Sequence, residues 1–435
     1  MKRYFGTDGI RGIANQDLTA DIAYKCGNAL TVLKKYPTVV IGRDTRQSGD
    51  MLALSVASGV TAGGGNVLDV GIMPTAAIAY LTKYFGASYG VVISASHNPP
   101  EYNGIKVFGS DGYKLLEDDE AAIEDCFTKG NYVTHPNLGK YKRIDYGSDI
   151  YVDYLRKTCP EGLNGLKVVL DCCNGAAYQV APQVFKELGA DVRVYNSENT
   201  GLRINVGCGS LHPEGLTQKV VEKGCDVGFA FDGDSDRLLA VDENGNQING
   251  DQIIYLVATN LLREGKLKEN IAVGTHHTNM GIQKALEAKG IKLLRADIGD
   301  KYVMELMLKT GAVIGGEQSG HIIMTEFATT GDGILSAIQV ARLLLAGKKI
   351  SECLDVNLYP QVNINVSVKD KIRVMNNEEL AEFINKCREE IKSIGRILVR
   401  ASGTEPRIRV MVECEDLSIA ERIANEIVEK VNKIG

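Results

Sequence analysis

Three aspartates, Asp232, Asp234 and Asp236, alternate along the segment Asp232-Gly-Asp-Ser-Asp-Arg237. Carboxylates at every second position of a turn can converge on one hard cation, and an all-oxygen donor set suits magnesium or calcium. Glu243 stands at the twelfth position counted from Asp232, as in an EF-hand. Arg237, however, holds the sixth position, where the sharp turn of that loop needs glycine. Leu238–Val241 then continues as an apolar, strand-like run, and Val227–Phe231 precedes the segment in the same way. A strand–turn–strand frame favours a metal loop, with a solvated acidic turn as the alternative.

Three more polar, glycine- or serine-bearing loops follow directly on apolar runs. Ser94-Ala-Ser-His-Asn-Pro99, after Val91–Ile93, places hydroxyls, an imidazole and an amide on one turn. A serine beside a cation can act as a nucleophile or carry a phosphoryl group, and a plain serine-rich turn is the competing reading. Arg400-Ala-Ser-Gly-Thr-Glu-Pro406, with Arg407 and Arg409 beyond it, combines guanidinium forks with hydroxyls. That mixture suits phosphate, though a charged turn between two strands would look the same. Gly315-Gly-Glu-Gln-Ser-Gly-His321 offers Glu317 and Ser319 as groups for hydroxyls, and His321 as an acid or base or a structural histidine. His276 and His277 are adjacent, and neighbours in a strand face opposite ways, so a shared metal site is not expected there. No Walker A or Gly-x-Gly-x-x-Gly sequence occurs, which removes the usual nucleotide readings.

The elements that must position these loops alternate in type. Thr38–Ile41, Val67–Val70, Val91–Ile93, Val168–Leu170, Val192–Tyr195, Val227–Phe231, Ile271–Val273, Ile291–Leu294 and Ala312–Ile314 read as strands. Helical patterns lie between them at Asp50–Ala62, Thr75–Lys83, Ala177–Leu188, Asp251–Leu262, Gly281–Ala288 and Lys301–Leu308. Such alternation predicts βαβ units and largely parallel sheets. The tail differs. Strand-like Val362–Val368, helix-like Glu378–Lys392, strands Ile397–Val399 and Arg407–Val412, and a helix from Leu417 suggest antiparallel pairing. The polar stretch Thr128–Gly147 reads as the end of a first domain, and the turn-rich Asp242–Gly250 as the end of a second. The expected organisation is three α/β domains with mixed or parallel sheets, spanning 1–150, 151–250 and 251–360. A smaller α+β domain, 361–435, completes it. Because ligands in open α/β sheets sit outside the carboxyl ends of strands, one loop per domain predicts a central cleft.

Bulk properties narrow the class. The chain has 435 residues, 44% of them hydrophobic and 24% charged, with a formal net charge of −6. That balance argues against a nucleic-acid footprint, and no Lys/Arg run marks a membrane patch. The opening residues have no signal-peptide core, and no stretch is apolar enough to span a bilayer. Ten cysteines, with no Cys-x-x-Cys pair, read as free thiols in a reduced, cytoplasmic setting.

Taken in order and with these gaps, the four loops resemble the α-D-phosphohexomutase superfamily, from Gly6-Thr-Asp-Gly-Ile-Arg-Gly12 to the arginine-bearing loop near the C-terminus. Tyr4–Asn15, Gly316–His321 and Thr329–Gly333 are most similar to members that act on hexosamine phosphates. The resemblance implies that Ser96 is phosphorylated, and that Ser96 and Asp232, Asp234 and Asp236 hold Mg²⁺. It implies catalytic roles for Arg11, His97, Lys106, Arg237 and His321, with Lys106 or His321 moving the proton. It further implies that Glu317 and Ser319 bind the sugar, and Arg400, Ser402, Gly403, Thr404 and Arg409 its phosphate. The implied reaction moves a phosphoryl group between two positions of a phosphorylated hexosamine through a bisphosphate. No nucleic acid or membrane partner is implied, and a homodimer is left open. A phosphomannomutase or phosphoglucomutase is the same-class rival, and a metal-dependent sugar phosphatase the rival of another class. Ser235 stands where glycine is usual in the metal loop, and Ala401 where proline is usual in the phosphate loop.

Overall fold

The computed structural model describes residues 4–6, 8–402 and 405–435. Two compact units emerge: Met1–His277 with Ile291–Leu354, and Thr278–Gly290 with Asp355–Gly435. No helix of the described residues is long and apolar enough to cross a membrane.

The first unit holds three mixed sheets. The largest has seven strands in the order Phe5–Gly6, Gly9–Ile13, Tyr102–Gly109, Tyr89–Ile93, Thr38–Arg43, Asn66–Ile72 and Tyr141–Arg143. Its last four strands run parallel to one another, and the first four pair antiparallel. The helices Ala20–Leu33 and Gly49–Ala62 pack on it, burying Leu30, Val56 and Val60 against Val39, Ile41 and Val91. Buried apolar area of this kind contributes roughly 25 cal/mol per Å². The second sheet orders Gln247–Ile248, Leu238–Asp242, Val227–Phe231, Lys167–Asp171 and Asp191–Tyr195; the third orders Lys292–Ala296, Ile271–Thr275, Ile314–Gly316 and Ile322–Met324. In the second unit, Gln361–Ser367, Arg407–Cys414 and Gly395–Ala401 form a wholly antiparallel sheet under the helices Glu378–Ile391 and Leu417–Ile434. Its fully buried Glu413 is paired with Arg396 at 2.8 Å.

The stretch Thr128–Gly147 holds the strand Tyr141–Arg143, which pairs with Asn66–Ile72 at the edge of the first sheet. Two expectations from the sequence shift. The strand placed at Ala312–Ile314 lies at Ile314–Gly316, because glycines join the ladder with Ile322–Met324. His276 and His277 follow the end of their strand at Thr275 in a turn, and are not strand neighbours. The strand Tyr102–Gly109 escaped the apolar pattern because buried Asn103 and Lys106 interrupt it.

Beyond the third sheet, Asp332 caps the helix Gly333–Arg342 by accepting from the Leu335 amide at 3.0 Å. It also accepts a hydrogen bond from the buried Tyr151 hydroxyl of the helix Gly147–Lys157. Burial pushes the Asp332 carboxyl up to about 6, with these donors opposing. A folded-state value above the unfolded one means that ionised Asp332 weakens the fold, and the penalty grows as pH rises from about 4 through about 6. Asp332→Asn removes the ionisation and keeps an acceptor. Its Tm, measured by calorimetry against the wild type, should therefore gain on the wild type between about pH 4.5 and about pH 7. A Tm difference independent of pH would refute that assignment.

Candidate functional site

Each chemistry-bearing loop of the first unit leaves the carboxyl end of a strand. Ser96 stands three residues past Tyr89–Ile93, Asp232 directly after Val227–Phe231, and Glu317 directly after Ile314–Gly316. The loops of the first two sheets meet through the Ser96 hydroxyl, which donates to Asp232 Oδ2 at 2.7 Å and lies 3.2 Å from His97 Nδ1. Gly233 permits the approach, since a Cβ there would sit 2.5 Å from the Ser96 carbonyl oxygen. Ser96 is buried and adopts φ 53°, a left-handed backbone that costs a non-glycine residue about 1 kcal/mol or more.

Asp232, Asp234 and Asp236 are all buried, and one oxygen from each lies within 4.8 Å of the others. Like charges that close, away from water, repel strongly. Burial, followed by Asp236 and Asp234, pushes Asp232 up to about 8. Burial also opposes the charge on Asp234 and Asp236, but Lys106 holds both carboxyls below the usual range, with Thr75 helping at Asp234 and His321 at Asp236. Lys106 reaches them at 2.7 and 3.2 Å from the middle of Tyr102–Gly109. Thr75, first residue of the helix Thr75–Tyr84, donates its hydroxyl to Asp234 Oδ2 at 2.7 Å and its amide to the Asp234 carbonyl.

The remaining oxygens test whether a metal suits the cluster. Asp234 Oδ1 and Asp236 Oδ1 are buried without a hydrogen-bond partner among the described residues. Three convergent carboxylates, two of them with an oxygen that no hydrogen bond uses, fit a hard divalent cation, which would satisfy them and return Asp232 to its ionised form.

Around the cluster lies a cavity of about 510 Å³, within the usual range for small-molecule sites. Arg11, Ser96, Lys106, Asp236, Arg237, Glu317 and His321 line it. The Nε atoms of Arg11 and Arg237 are buried without partners among the described residues. Arg11 Nη1 donates to Asn98 Oδ1 at 3.2 Å. Burial, then Arg237 and Arg11, lower His97 to about 4, so this imidazole is neutral near pH 7. His321 accepts the Gly331 amide on Nε2 at 3.0 Å, which leaves a proton for Nδ1, 3.6 Å from Asp236. Burial works against a charge on His321, while Asp236 and Asp300 pull its pKa upward. Glu317 Oε1 accepts the Gly299 amide at 3.1 Å, and burial raises its carboxyl. Ser319 is exposed and is not among the residues lining the cavity.

In the second unit, Arg400 and Arg409 face each other across the antiparallel strands Gly395–Ala401 and Arg407–Cys414. Burial, then Arg409, lowers the Arg400 pKa, and no ion-pair partner for Arg400 is present among the described residues. Arg409 and Arg407 share Glu405 at 3.7 and 3.5 Å. Two guanidinium groups with one carboxylate between them leave room for an added anion. Ser402 is buried, and its carbonyl accepts from Lys371 Nζ at 2.6 Å. Gly403 and Thr404 lie outside the described residues.

Sequence reading missed Thr75, Lys114 and Asp300. Lys114 donates to Asp300, which lies 3.4 Å from His321 Nε2, and both line the cavity. Asp300 was findable, since it opens the helix Asp300–Thr310 just past the strand Lys292–Ala296. Thr75 carries no local signal beyond a Pro-Thr pair at a helix start.

Four domain families described as phosphoglucomutase/phosphomannomutase match the chain in order: domain I at residues 2–133, domain II at 149–245, domain III at 249–359 and the C-terminal domain at 364–430. A phosphoglucosamine mutase of Acetivibrio thermocellus is 47% identical, over 100% of this chain and 99% of its own. Another from Carboxydothermus hydrogenoformans is 47% identical over 100% of both chains. Among solved structures, a phosphoglucomutase/phosphomannomutase family protein of Burkholderia thailandensis superposes with a TM-score of 0.82 at 25% identity, covering 99% of this chain and 98% of its own. The N-acetylphosphoglucosamine mutase of Aspergillus fumigatus, solved with GlcNAc-6P and magnesium, shares the fold at a TM-score of 0.71 and 18% identity, covering 99% and 96%.

Ser235, between two of the aspartates, adopts φ 61° and buries a hydroxyl with no partner among the described residues. Ser235→Gly relieves both costs, against the greater freedom glycine gives the unfolded chain. The net effect expected is a gain of about 1 kcal/mol, or about 1–3 °C in Tm. A lower Tm in the variant would show that the backbone there is unstrained.

Proposed function

Because the chain belongs to the phosphoglucomutase/phosphomannomutase family, we propose that it is an isomerase that interconverts glucosamine 6-phosphate and glucosamine 1-phosphate. It works through a phosphoserine at Ser96 and a 1,6-bisphosphate. The observation that carries this reading is the buried Ser96 hydroxyl, hydrogen-bonded to Asp232 at the wall of a charged cavity. The choice of amino sugar rests on phosphoglucosamine mutases 45–47% identical over the whole chain. The four domains are proposed to run 1–150, 151–250, 251–360 and 361–435, close to the matched segments.

Phosphoryl transfer asks chiefly for in-line positioning and for charge to balance the phosphoryl oxygens. Asp232, Asp234 and Asp236, with a phosphoryl oxygen on Ser96, would hold Mg²⁺, which when bound supplies that charge. Arg11 and Arg237, whose buried Nε donors are unused, are proposed to bind the phosphoryl group in flight. Transfer forms a P–O bond to the free sugar hydroxyl and breaks the bond to Ser96 Oγ. The proton lost by the sugar hydroxyl is, in net terms, the one Ser96 then carries and donates to Asp232. Lys106 or His321 is proposed to relay it, and the neutral imidazole of His97 to orient the serine. Glu317 and Ser319 would bind sugar hydroxyls. Arg400, Ser402 and Arg409, with Gly403 and Thr404, would bind the substrate's own phosphate. The bisphosphate then reverses, and its other phosphoryl group returns to Ser96.

Ser96→Ala should fold and lose activity by about a thousandfold or more, since the variant has no group to carry the phosphoryl. Active wild type should show one added phosphate by intact mass, mapped to Ser96. A fully active alanine variant would sink the mechanism.

The sugar makes the sharper test. A carboxylate at Glu317 can accept from hydroxyls or pair with the ammonium of glucosamine. Charge-assisted contacts contribute about 1.5–3 kcal/mol, so kcat/KM should favour glucosamine 6-phosphate over glucose or mannose 6-phosphate by about tenfold or more. Glu317→Gln should erode both rate and preference. A better rate with glucose or mannose phosphate would overturn the amino-sugar assignment, and stoichiometric release of free phosphate would favour a phosphatase.

A further inference from the structure

The backbone of Ser96 is held by a side chain that no reading of the reaction requires. Arg46 lies three residues past the strand Thr38–Arg43, and its side chain is fully buried. A guanidinium has five N–H donors, and each has an acceptor here. Nε donates to Asp44 Oδ2 at 2.9 Å. Nη2 donates to the carbonyls of Ser96 and Asn98 at 3.0 and 2.7 Å. Nη1 donates to the carbonyls of Tyr102, at 2.9 Å, and Pro99. Three of the five bonds therefore go to the backbone of the turn that carries Ser96, and a fourth to Tyr102, where the next strand begins.

The same carboxylate closes the frame from the other side. Asp44 accepts the Ser94 hydroxyl at 2.5 Å, and Ser94 Oγ accepts the Ser96 amide at 2.9 Å. Asn205, which comes from the segment after the strand Asp191–Tyr195, donates Nδ2 to the carbonyls of Ser96 and Asn98 at 2.8 and 2.9 Å. The Ser96 peptide is thus gripped at its N–H by Ser94 and at its C=O by Arg46 and Asn205. Nothing local favours φ 53° for a serine, and a buried turn could relax toward the ordinary α or β regions. The frame supplies the constraint that the turn lacks.

We infer that Arg46, with Asn205, is a positioning residue for the phosphoryl-carrying serine. It fixes the left-handed backbone of Ser96 so that Oγ keeps one position, beside Asp232, in the charged and uncharged forms. The inference rests on the proposal that Ser96 carries the phosphoryl group. A buried arginine that merely glued the turn to the sheet would lower stability when altered and leave the chemical step alone. A positioning arginine must act on kcat, because a misplacement of about 1 Å costs an in-line transfer about a hundredfold.

Two variants test this. Arg46→Lys keeps the charge beside Asp44 and offers three donors in place of five. Asn205→Gly removes the second grip on the same carbonyls while tolerating the φ of 62° at that position. Steady-state rates and the rate of Ser96 phosphorylation by a hexosamine 1,6-bisphosphate are read for both, with wild type and Ser96→Ala alongside. Expected are a fall in kcat of about a hundredfold for Arg46→Lys and about tenfold for Asn205→Gly, with KM within about twofold of wild type. Ser96 phosphorylation should slow by the same factors. If Arg46→Lys does not fold, Asn205→Gly decides alone. Folded variants with wild-type kcat, or with loss confined to KM, overturn the positioning role while a phosphorylated wild-type Ser96 leaves the mutase reading standing. Full activity in Ser96→Ala overturns both.

Discussion

Three carboxylates buried within a few ångströms of one another are the constraint around which the first unit is arranged. Left alone they would take up protons, since burial and the two neighbouring carboxylates push Asp232 upward. The surrounding structure answers with cations and donors drawn from three sheets. Lys106 comes from the middle of a strand of the first, Arg237 from the second sheet's own loop, and His321 from the loop after the third sheet's Ile314–Gly316. Thr75 adds a hydroxyl from a helix start. Each is placed by an element whose packing is settled far from the site, so the charge balance depends on the fold as a whole.

Tight approach has a local cost that the site concentrates in a few residues. Ser96 and Ser235 both adopt left-handed backbone angles without being glycine. Gly233 is where the aspartate turn passes against the Ser96 carbonyl, and any larger residue would collide. Strain persists only where surroundings over-determine it. At Ser96 they do, through bonds to both its amide and its carbonyl, and at Ser235 the amide donates to the Asp232 carbonyl while the carbonyl accepts from the Gly333 amide, leaving only the hydroxyl without a partner among the described residues. A serine on a flexible turn would spread its hydroxyl over several positions, and in-line phosphoryl transfer tolerates little of that.

Much of this was legible in the sequence because strand alternation and loop composition are local signals. The strand Val227–Phe231, the helix Thr75–Tyr84 and the antiparallel pair in the tail fall where apolar periodicity puts them, within a few residues at their ends. The strand Tyr102–Gly109 did not, because a buried lysine and a buried asparagine break its apolar run. Those polar residues are inside for reasons that lie elsewhere in the chain. Lys106 is there for Asp234 and Asp236, about 130 residues away in sequence, and Asn103 takes Ser48 as its partner. Lys114 and Arg46 were passed over in the same way, since an isolated charged residue near a strand end resembles any surface charge.

The sequence by itself determined the classes of element, the order of the four loops and the chemistry each could support. Periodicity, turn residues and side-chain type are properties of neighbours along the chain. Only the tertiary structure decided which oxygen of Asp232 meets Ser96 and that Lys106 pairs with two aspartates. It also decided that His97 stays neutral while Asp236 and Asp300 draw His321 toward charge. Those outcomes turn on burial and on distances of about 3 Å between residues far apart in sequence, and Coulomb and desolvation energies change steeply over that range. No local pattern encodes them.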